Sequence, residues 1–304
     1  MTPMETVTAT VNGQTYTLTL NSQTGAYEAA ATSPIKSSYG QKDHYYDVTV
    51  KATDRAGNSS MVNSESVDFG DFLKLRVKER VKPIVSFVSP TTGSGLTNNK
   101  PTFKINITDE NSGVDLSTFK IVIDAKTTVT ADCCTKTQIT DGYTMIYTPV
   151  DALEDGNHTI TATISDNDGN VADTASISIK IDTVPPTLTI SAPTDNTFTN
   201  NEACTVSGVT NDVTSSPVTV TIKVGEKDQG TVTVGENGAF SKAVILSEGE
   251  NTITITAKDS LGKTTTVTRT VTLDTNPPEF LEVSVTPNPV DAGKTFTISV
   301  KVKS

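Results

Sequence analysis

The chain has 304 residues and a formal net charge of -11, from 24 Lys and Arg against 35 Asp and Glu. This acidic balance argues against a nucleic-acid partner, and no apolar run approaches the 18 residues that would indicate membrane insertion. Aromatic residues make up 5% and Trp is absent, so each hydrophobic core must be small and mainly aliphatic. The N-terminus enters an alternating strand directly, without the basic and apolar regions of an export signal.

The first segment, residues 1–82, alternates polar and apolar residues in several short runs. Asn12-Gly13 between two such runs is typical of a two-residue hairpin turn. A predicted strand at Asp47–Ala52 leads into the turn Asp54-Arg-Ala-Gly57. The clean alternation of Phe72–Glu79 (FLKLRVKE) predicts one more strand.

The second and third segments, residues 83–185 and 186–278, repeat one order of features. The stretch Asp166–Pro186 (DNDGNVADTASISIKIDTVPP) returns as Asp259–Pro278 (DSLGKTTTVTRTVTLDTNPP). Each copy follows an alternating strand and contains an Asp-x-x-Gly turn, a second alternating strand and a Pro pair, which predicts a hairpin and then a short stiff linker. The spacing of the linkers is the size of one β-sandwich domain.

The last segment, residues 279–304, carries two alternating runs, Phe280–Val285 and Thr295–Val302, like the opening strand pair of another repeat. The first segment aligns with the later repeats only from their third strand onwards. Both ends would then expose a sheet edge, and we hypothesise strand addition of the last segment, either into the first segment of the next copy in a head-to-tail array or into a neighbouring protein of the same particle. The alternative is that residues 1–82 form a smaller complete sandwich and the last segment caps the third domain.

No residue pattern indicates catalysis, and we predict no enzyme, no catalytic residue and no cofactor. His44 and His158 lie in different repeats without an accompanying Ser, Cys or carboxylate constellation, so we interpret both as surface imidazoles. The chain has an odd number of cysteines, and none of them are in Cys-x-x-Cys spacing: Cys133, Cys134 and Cys204. They predict free thiols in a reducing compartment rather than a disulfide framework, a redox pair or a metal site.

Two acidic stretches are candidates for metal-binding loops. Asp166–Gly169 superficially resembles a calcium loop, but an EF-hand register would place apolar residues at its first and last ligand positions. The counterpart of Asp168 in the third segment is Leu261, so the second carboxylate is not part of the repeat. We expect a turn here, a solvated loop at Asp109–Asp115 (DENSGVD), and no metal site.

The repeated motifs resemble those of bacterial Ig-like repeats, which occur in tandem in surface proteins and phage tail proteins. They are Phe198-Thr-Asn-Asn, Leu-x-x-Gly-x-x-Thr-Ile-Thr, Asp-x-x-Gly and Asp-Thr-x-Pro-Pro. The resemblance covers almost the whole chain and implies an all-β fold of tandem Ig-like β-sandwiches in an elongated rod. Because a core Trp and an inter-sheet disulfide are missing, it does not imply antibody-type binding.

The opening VNGQTYTLTLNSQTGAYEA, with ATDRAGNSS and LKLRVKERVKP, is also similar to prophage-encoded Ig-like tail accessory proteins of Gram-positive hosts. That resemblance implies a non-enzymatic structural protein of a bacteriophage virion, a tail or baseplate spacer or host-surface contact. Its partners would be other tail or baseplate proteins and host surface polysaccharide. A bacterial cell-surface adhesin or stalk fragment is the alternative, and an accessory module of a secreted glycoside hydrolase is a third. The lack of an export signal or anchor in the sequence favours the virion hypothesis, since virions assemble inside the cell.

Overall fold

A computed structural model describes residues 3–303, so Met1, Thr2 and Ser304, the outer ends of the predicted first and last segments, lie outside the described residues. The chain divides into two compact units, Met1–Ile181 and Asp182–Ser304, and each is described by itself. Strands dominate both units, and the helical segments between residues 3 and 303 are single 3-10 turns. The all-β prediction is confirmed. Among the described residues no helix is long and apolar enough to span a membrane.

The first segment forms one sheet of six strands. They are β1 (Met4–Val11), β2 (Gln14–Leu20), β3 (Tyr27–Glu28), β4 (Tyr46–Asp54), β5 (Ser59–Val62) and β6 (Lys74–Leu75). Their order is β3-β2-β1-β4-β5, with β6 beside β4. Its buried apolar side chains are few, namely Val7, Val11 and Tyr46, because the described strands of this segment form one sheet with no second sheet of the segment packed on it.

The predicted hairpin at Asn12-Gly13 is confirmed: β1 and β2 are antiparallel, and both turn residues have positive φ, 47° and 76°. The predicted strand Phe72–Glu79 is wrong except at Lys74–Leu75: Phe72 and Leu73 belong to a 3-10 turn, and the residues after Leu75 are not in a strand. The backbone N–H of Val77 donates to Ser38 Oγ (3.1 Å) and that of Glu79 to Asp168 Oδ2 (3.0 Å). These side-chain acceptors replace a neighbouring strand, so alternation alone did not determine pairing.

The second segment is a complete sandwich of two sheets. Its strands are β7 (Ile84–Ser89), β8 (Ser94–Leu96), β9 (Phe103–Thr108), β10 (Val114–Ile123), β11 (Thr127–Thr130), β12 (Thr135–Ile139), β13 (Gly142–Tyr147), β14 (Gly156–Asp166) and β15 (Ala175–Ile181). The sheets run β11-β10-β14-β15-β8 and β12-β13-β9-β7. Alternate side chains of both sheets meet in one core that includes Phe103, Phe119 and Ile164.

The third segment repeats this arrangement. Its strands are β16 (Thr187–Ala192), β17 (Thr197–Thr199), β18 (Ala203–Asn211), β19 (Thr219–Val224), β20 (Lys227–Val232), β21 (Ala239–Ile245), β22 (Gly249–Lys258) and β23 (Thr264–Leu273). The sheets run β16-β18-β21 and β17-β23-β22-β19-β20. Their facing side chains enclose a separate core around Val220, Ile222 and Ile255. The two predicted hairpins, β14–β15 and β22–β23, are confirmed as antiparallel pairs.

The last segment is a two-stranded antiparallel sheet of β24 (Glu279–Thr286) and β25 (Thr297–Lys303). The pairing aligns Phe280 with Val302, Val283 with Val300, and Val285 with Ile298. These six apolar residues are all exposed. In β7–β9 and β16–β18, by contrast, side chains of the strand pair contribute to a core.

Candidate metal centre

One turn geometry is used in all three repeats and positions the candidate site. The first Asp of each Asp-x-x-Gly turn accepts, through Oδ1, the backbone N–H groups two and four residues later, at 2.8–3.0 Å. These residues are Asp54, Asp166 and Asp259. The turn glycines, Gly57, Gly169 and Gly262, have φ of 87°, 93° and 95°, which a side chain would strain. Since Oδ1 is used by the turn, Oδ2 of each Asp faces the side chain four residues on.

In the second repeat this Asp belongs to a buried cluster, the first acidic triplet, formed by Glu79, Asp109 and Asp166. One carboxylate oxygen from each lies within 4.8 Å of the others. Asp109 follows β9 and Asp166 ends β14, whereas Glu79 lies in the linker before the sandwich. The three residues are 9%, 7% and 2% exposed. The triplet therefore joins the linker to one end of both sheets.

Neutral donors supply the hydrogen bonds of the first acidic triplet. Asn170 Nδ2 donates to Asp166 Oδ2 (2.7 Å) and to Glu79 Oε1 (3.0 Å). Asp109 Oδ1 accepts the backbone N–H groups of Asn111 (3.1 Å) and Gly113 (2.7 Å). These bonds fix the carboxylates in place without adding positive charge.

Burial is the largest factor that opposes ionisation of Glu79 in the first acidic triplet, and repulsion by the neighbouring carboxylates adds to it. Burial and the adjacent Asp166 carboxylate raise the pKa of Glu79. Burial opposes ionisation of Asp166 as well, but its bonds from Asn170, Glu79 and the turn N–H groups lower its pKa. The arrangement thus favours either a shared proton or a bound cation.

The third repeat contains an equivalent cluster, the second acidic triplet, formed by Asp182, Asp212 and Asp259. Its oxygens also lie within 4.8 Å of one another, and all three residues are buried. Asp212 Oδ1 accepts the backbone N–H groups of Thr214 (2.8 Å) and Ser215 (2.5 Å) after β18. Both repeats therefore have the same three acidic positions: one in the linker, one after the second long strand and one in the Asp-x-x-Gly turn.

The second acidic triplet contains its own cation. Lys263 Nζ lies 2.6 Å from Asp182 Oδ2 and 3.2 Å from Asp259 Oδ2, and it donates to the Asp182 carbonyl (2.9 Å). Burial opposes the charged ammonium, but the bonds to Asp182 and Asp259 outweigh it and raise the pKa of Lys263. Lys263 is the counterpart of Asn170, since each lies four residues after the turn Asp of its repeat. One triplet is therefore paired with an ammonium and the other with a neutral amide.

The sequence analysis names Asp109, Asp166 and Asp259 but does not predict that acidic side chains from distant positions lie close together. The expected solvated loop is wrong for Asp109, which is buried, while Glu110 is exposed. Asp168 does not join the triplet but accepts the Glu79 backbone N–H. The sequence pattern does not indicate a site at Glu79, because its alternating neighbours predict a strand there. A usable signal was its position four residues before Pro83, matching Asp182 before Pro186.

The other singled-out side chains lie apart from the triplets. The surface prediction is wrong for His158: its side chain is 10% exposed, and its ring nitrogens contact Asp124 Oδ2 and the Glu154 carbonyl, both at 2.7 Å. His44 is exposed and stacks on Tyr39, with ring centroids 4.2 Å apart.

The predicted free thiols are confirmed for the three cysteines. Burial raises the pKa of the Cys134 thiol to about 11, which leaves it protonated and unreactive near neutral pH.

The fold defines the chain as a tandem of Ig-like β-sandwiches. Residues 90–183 match the family described as "Bacterial Ig-like domain", and residues 186–275 match "Glucodextranase, domain B". Bacillopeptidase F of Bacillus subtilis is 38% identical over 115 residues, which is 37% of this chain and 7% of that protein. The chain thus spans a small fraction of this relative. Tandem modules of this kind are typical of structural or adhesion-type proteins, and Ig-like domains are generally non-catalytic.

Several solved structures of tandem modules are also similar. The titin I-band fragment I67–I69 has a TM-score of 0.43 at 14% identity, with 90% of this chain and 89% of that chain covered. A tetra-tandem repeat from the extending region of a large adhesion protein has a TM-score of 0.34 at 20% identity, with 99% and 80% covered. The fibronectin(III)-like modules of Clostridium thermocellum CbhA have a TM-score of 0.36 at 17% identity, with 63% and 94% covered.

Proposed function

We propose that this chain is a non-catalytic structural segment of a protein displayed on a bacterial cell surface, where its sandwiches space or present a neighbouring part. The observation that carries the proposal is the pair of complete sandwiches in one chain, each with its own core. The match of residues 90–183 to the bacterial Ig-like family supports it. A sandwich that buries its own core can be placed in series without depending on its neighbours.

The two enzyme names among the relatives support an accessory role rather than a catalytic one. The glucodextranase match is to domain B alone, and the chain covers only 7% of Bacillopeptidase F. Modules of this size beside a catalytic domain extend it or position it. Neither hydrolysis of glucans nor of peptides is expected from this chain, and an assay of both on the purified chain tests this.

A phage virion is the second candidate location. It is favoured by the similarity of the opening residues and of LKLRVKERVKP to prophage-encoded tail accessory proteins. In that setting the chain would bind other tail or baseplate proteins and touch host surface polysaccharide. The elongated rod inferred from the repeats stays a prediction, and small-angle scattering of the purified chain tests it.

Fractionation of the source cells separates the two locations. An antibody against the chain should label intact, unlysed cells if the chain is part of a surface protein. Recovery only in induced, gradient-purified phage particles would refute the surface proposal and support the virion. An antibody absorbed with the purified chain serves as the control for specific labelling.

A further inference from the structure

We propose that the apolar face of the last strand pair, β24 and β25, packs on the open sheet of a second copy of this chain. The open sheet is the one formed by β1, β2 and β4 in the first segment. In this interface β25 also pairs with the backbone of residues 26–32 of the second copy. The interface is independent of the proposed function, since it does not depend on where the chain is displayed.

The open sheet has a counterpart in the third sandwich. The strand orders β2-β1-β4-β5 and β20-β19-β22-β23 are the same. Val7 pairs with Ala52 across β1 and β4, as Val220 pairs with Ala257 across β19 and β22. In both sheets that alanine lies two residues before the Asp of the Asp-x-x-Gly turn. The third sandwich therefore shows, within the same chain, what covers a sheet of this kind.

The shared apolar face is covered in the third sandwich and half exposed in the open sheet. Ile253 and Ile255 of β22 are 0% exposed, in one core with side chains of β18 and β21. Their counterparts on β4, Val48 and Val50, are only half-buried. Each Å² of this apolar surface that a second layer removes from water would contribute about 25 cal/mol.

Residues 26–32 of the first segment are the counterpart of β21 and lack its strand partner. Gly25 and Gly238 precede the two stretches, at the same distance from the preceding hairpin, and have φ of 73° and 79°. β21 pairs along its whole length with β18, whereas the residues after β3 are not in a strand. Ala31 is exposed where Val244 of β21 is 1% exposed. This stretch therefore presents backbone groups that a further strand can bind.

The last strand pair has a complementary apolar face. Val283 lies opposite Val300 and Val285 opposite Ile298, and Val302 continues the same face of β25 because alternate residues share a face. These five side chains are 41–63% exposed. The opposite face is polar and includes Glu282, Ser284, Ser299 and Lys301. A two-stranded sheet is marginal in water by itself, and this one has a face suited to burial against another layer.

The third sandwich identifies the occupant of the open sheet. Its first strand pair, β16 and β18, packs over β19 and β22 and contributes Leu188, Ile190 and Val206 to the core. The equivalent sheets of the second and third sandwiches already have such a layer. Among the described residues, the open sheet is therefore the remaining place for a strand pair of this kind. The last segment of one copy and the first segment of another together supply the two layers of one sandwich.

The proposed interface is head-to-tail, because every copy carries one open sheet and one such strand pair. Interfaces of this kind continue into open arrays unless the rotation between copies closes a ring. The average size of the assembly should therefore rise with protein concentration and should not stop at a dimer.

Two truncated chains separate the halves of the interface. One comprises residues 1–278 and keeps the open sheet, and the other comprises residues 83–304 and keeps the strand pair. Both contain the two sandwiches that bury their own cores. Sedimentation velocity is measured at about 50 μM, above the μM to pM range of Kd for specific interfaces. Each truncated chain should be monomeric, their mixture should form a one-to-one complex, and the full chain should form larger oligomers.

Two substitutions on β25 and a map of amide exchange make the test specific to the proposed faces. Val300→Asp should weaken the complex by about 100-fold or more, because it buries a charge in the interface. It should leave the single chain folded, since Val300 is 49% exposed there. Ser299→Asp, on the opposite face, is the matched control and should change the Kd by no more than about threefold. Hydrogen exchange in the mixture should slow at residues 26–32 and in β25.

Three results would overturn the proposal. One is a mixture of the truncated chains, or a full chain, that remains monomeric, because the strand pair would then need a different protein as its partner. Another is a complex that tolerates Val300→Asp as well as Ser299→Asp, because the apolar face would then lie outside the interface. The third is slowed exchange confined to the second or third sandwich, because the strand pair would then bind another surface.

Discussion

Replacing Phe119 by Ala should unfold the second sandwich at a lower temperature and leave the third unchanged. Phe119 lies on β10, is 0% exposed and belongs to the core of the second sandwich. Truncating a buried Phe removes its transfer free energy and leaves a cavity, which together cost about 3–5 kcal/mol. For a domain of about 100 residues this corresponds to a fall in Tm of roughly 15–30 °C.

Differential scanning calorimetry of the full chain measures this effect directly, with the transitions assigned by comparison with the isolated sandwiches. The matched control is Phe198→Ala in the third sandwich, because that ring is 78% exposed and its loss should change stability by no more than about 0.5 kcal/mol. If Phe119→Ala moved the transitions of both sandwiches together, the two cores would be energetically coupled and the reasoning from separate cores would be refuted.

Two further predictions concern the partly buried ion pair of His158 with Asp124 and the strand pair of residues 279–304. Burial opposes the charged His158 ring, but the Glu154 carbonyl and Asp124 outweigh it and raise the pKa of His158. The ion pair therefore stabilises the folded chain fully below the ordinary His pKa, and this stabilisation is lost as the pH rises through the pKa of His158 in the folded protein. Asp124→Asn should therefore lower the free energy of unfolding by ~1 kcal/mol more at pH 5.5 than at pH 9. Urea unfolding of the wild type and the variant at both pH values measures this difference. An equal loss of stability at pH 5.5 and pH 9 would contradict the prediction. We expect the full chain to self-associate by strand addition in sedimentation velocity, and deletion of residues 279–304 to leave it monomeric, because the deletion removes the exposed apolar strand pair. A full chain that is already monomeric, or association that is unchanged by the deletion, would exclude strand addition between copies through this segment.

Local features of the fold could be predicted because their causes are local. Alternation of Thr with Ile and Ala predicts half-buried strands, and Asn12-Gly13 specifies a hairpin through the positive φ of both residues. The repeated Asp-x-x-Gly pattern predicts the turns at Asp166 and Asp259, and both turns have the same hydrogen bonds. Where a few adjacent residues determine the conformation, a single sequence is enough to predict it.

The acidic triplets could not be predicted in the same way, because their members meet only after the two sheets pack. Asp109 follows a strand of one sheet, Asp166 ends a strand of the other, and Glu79 lies in the linker outside the sandwich. Its alternating neighbours suggested a strand, but Asp168 and Ser38 provide acceptors that draw the backbone away from β4. The sequence shows that Asn170 is neutral where Lys263 is charged. The effect of this difference depends on which carboxylates surround each residue, and only the folded structure shows that.

Pulling single molecules of the chain from its two ends tests most directly whether it is a series of self-sufficient sandwiches. The account predicts two separate unfolding events for the second and third sandwiches. Each should release about 30–35 nm of contour length, as expected for a domain of about 100 residues at about 3.3–3.6 Å per residue. A single event that released both sandwiches at once would contradict the account.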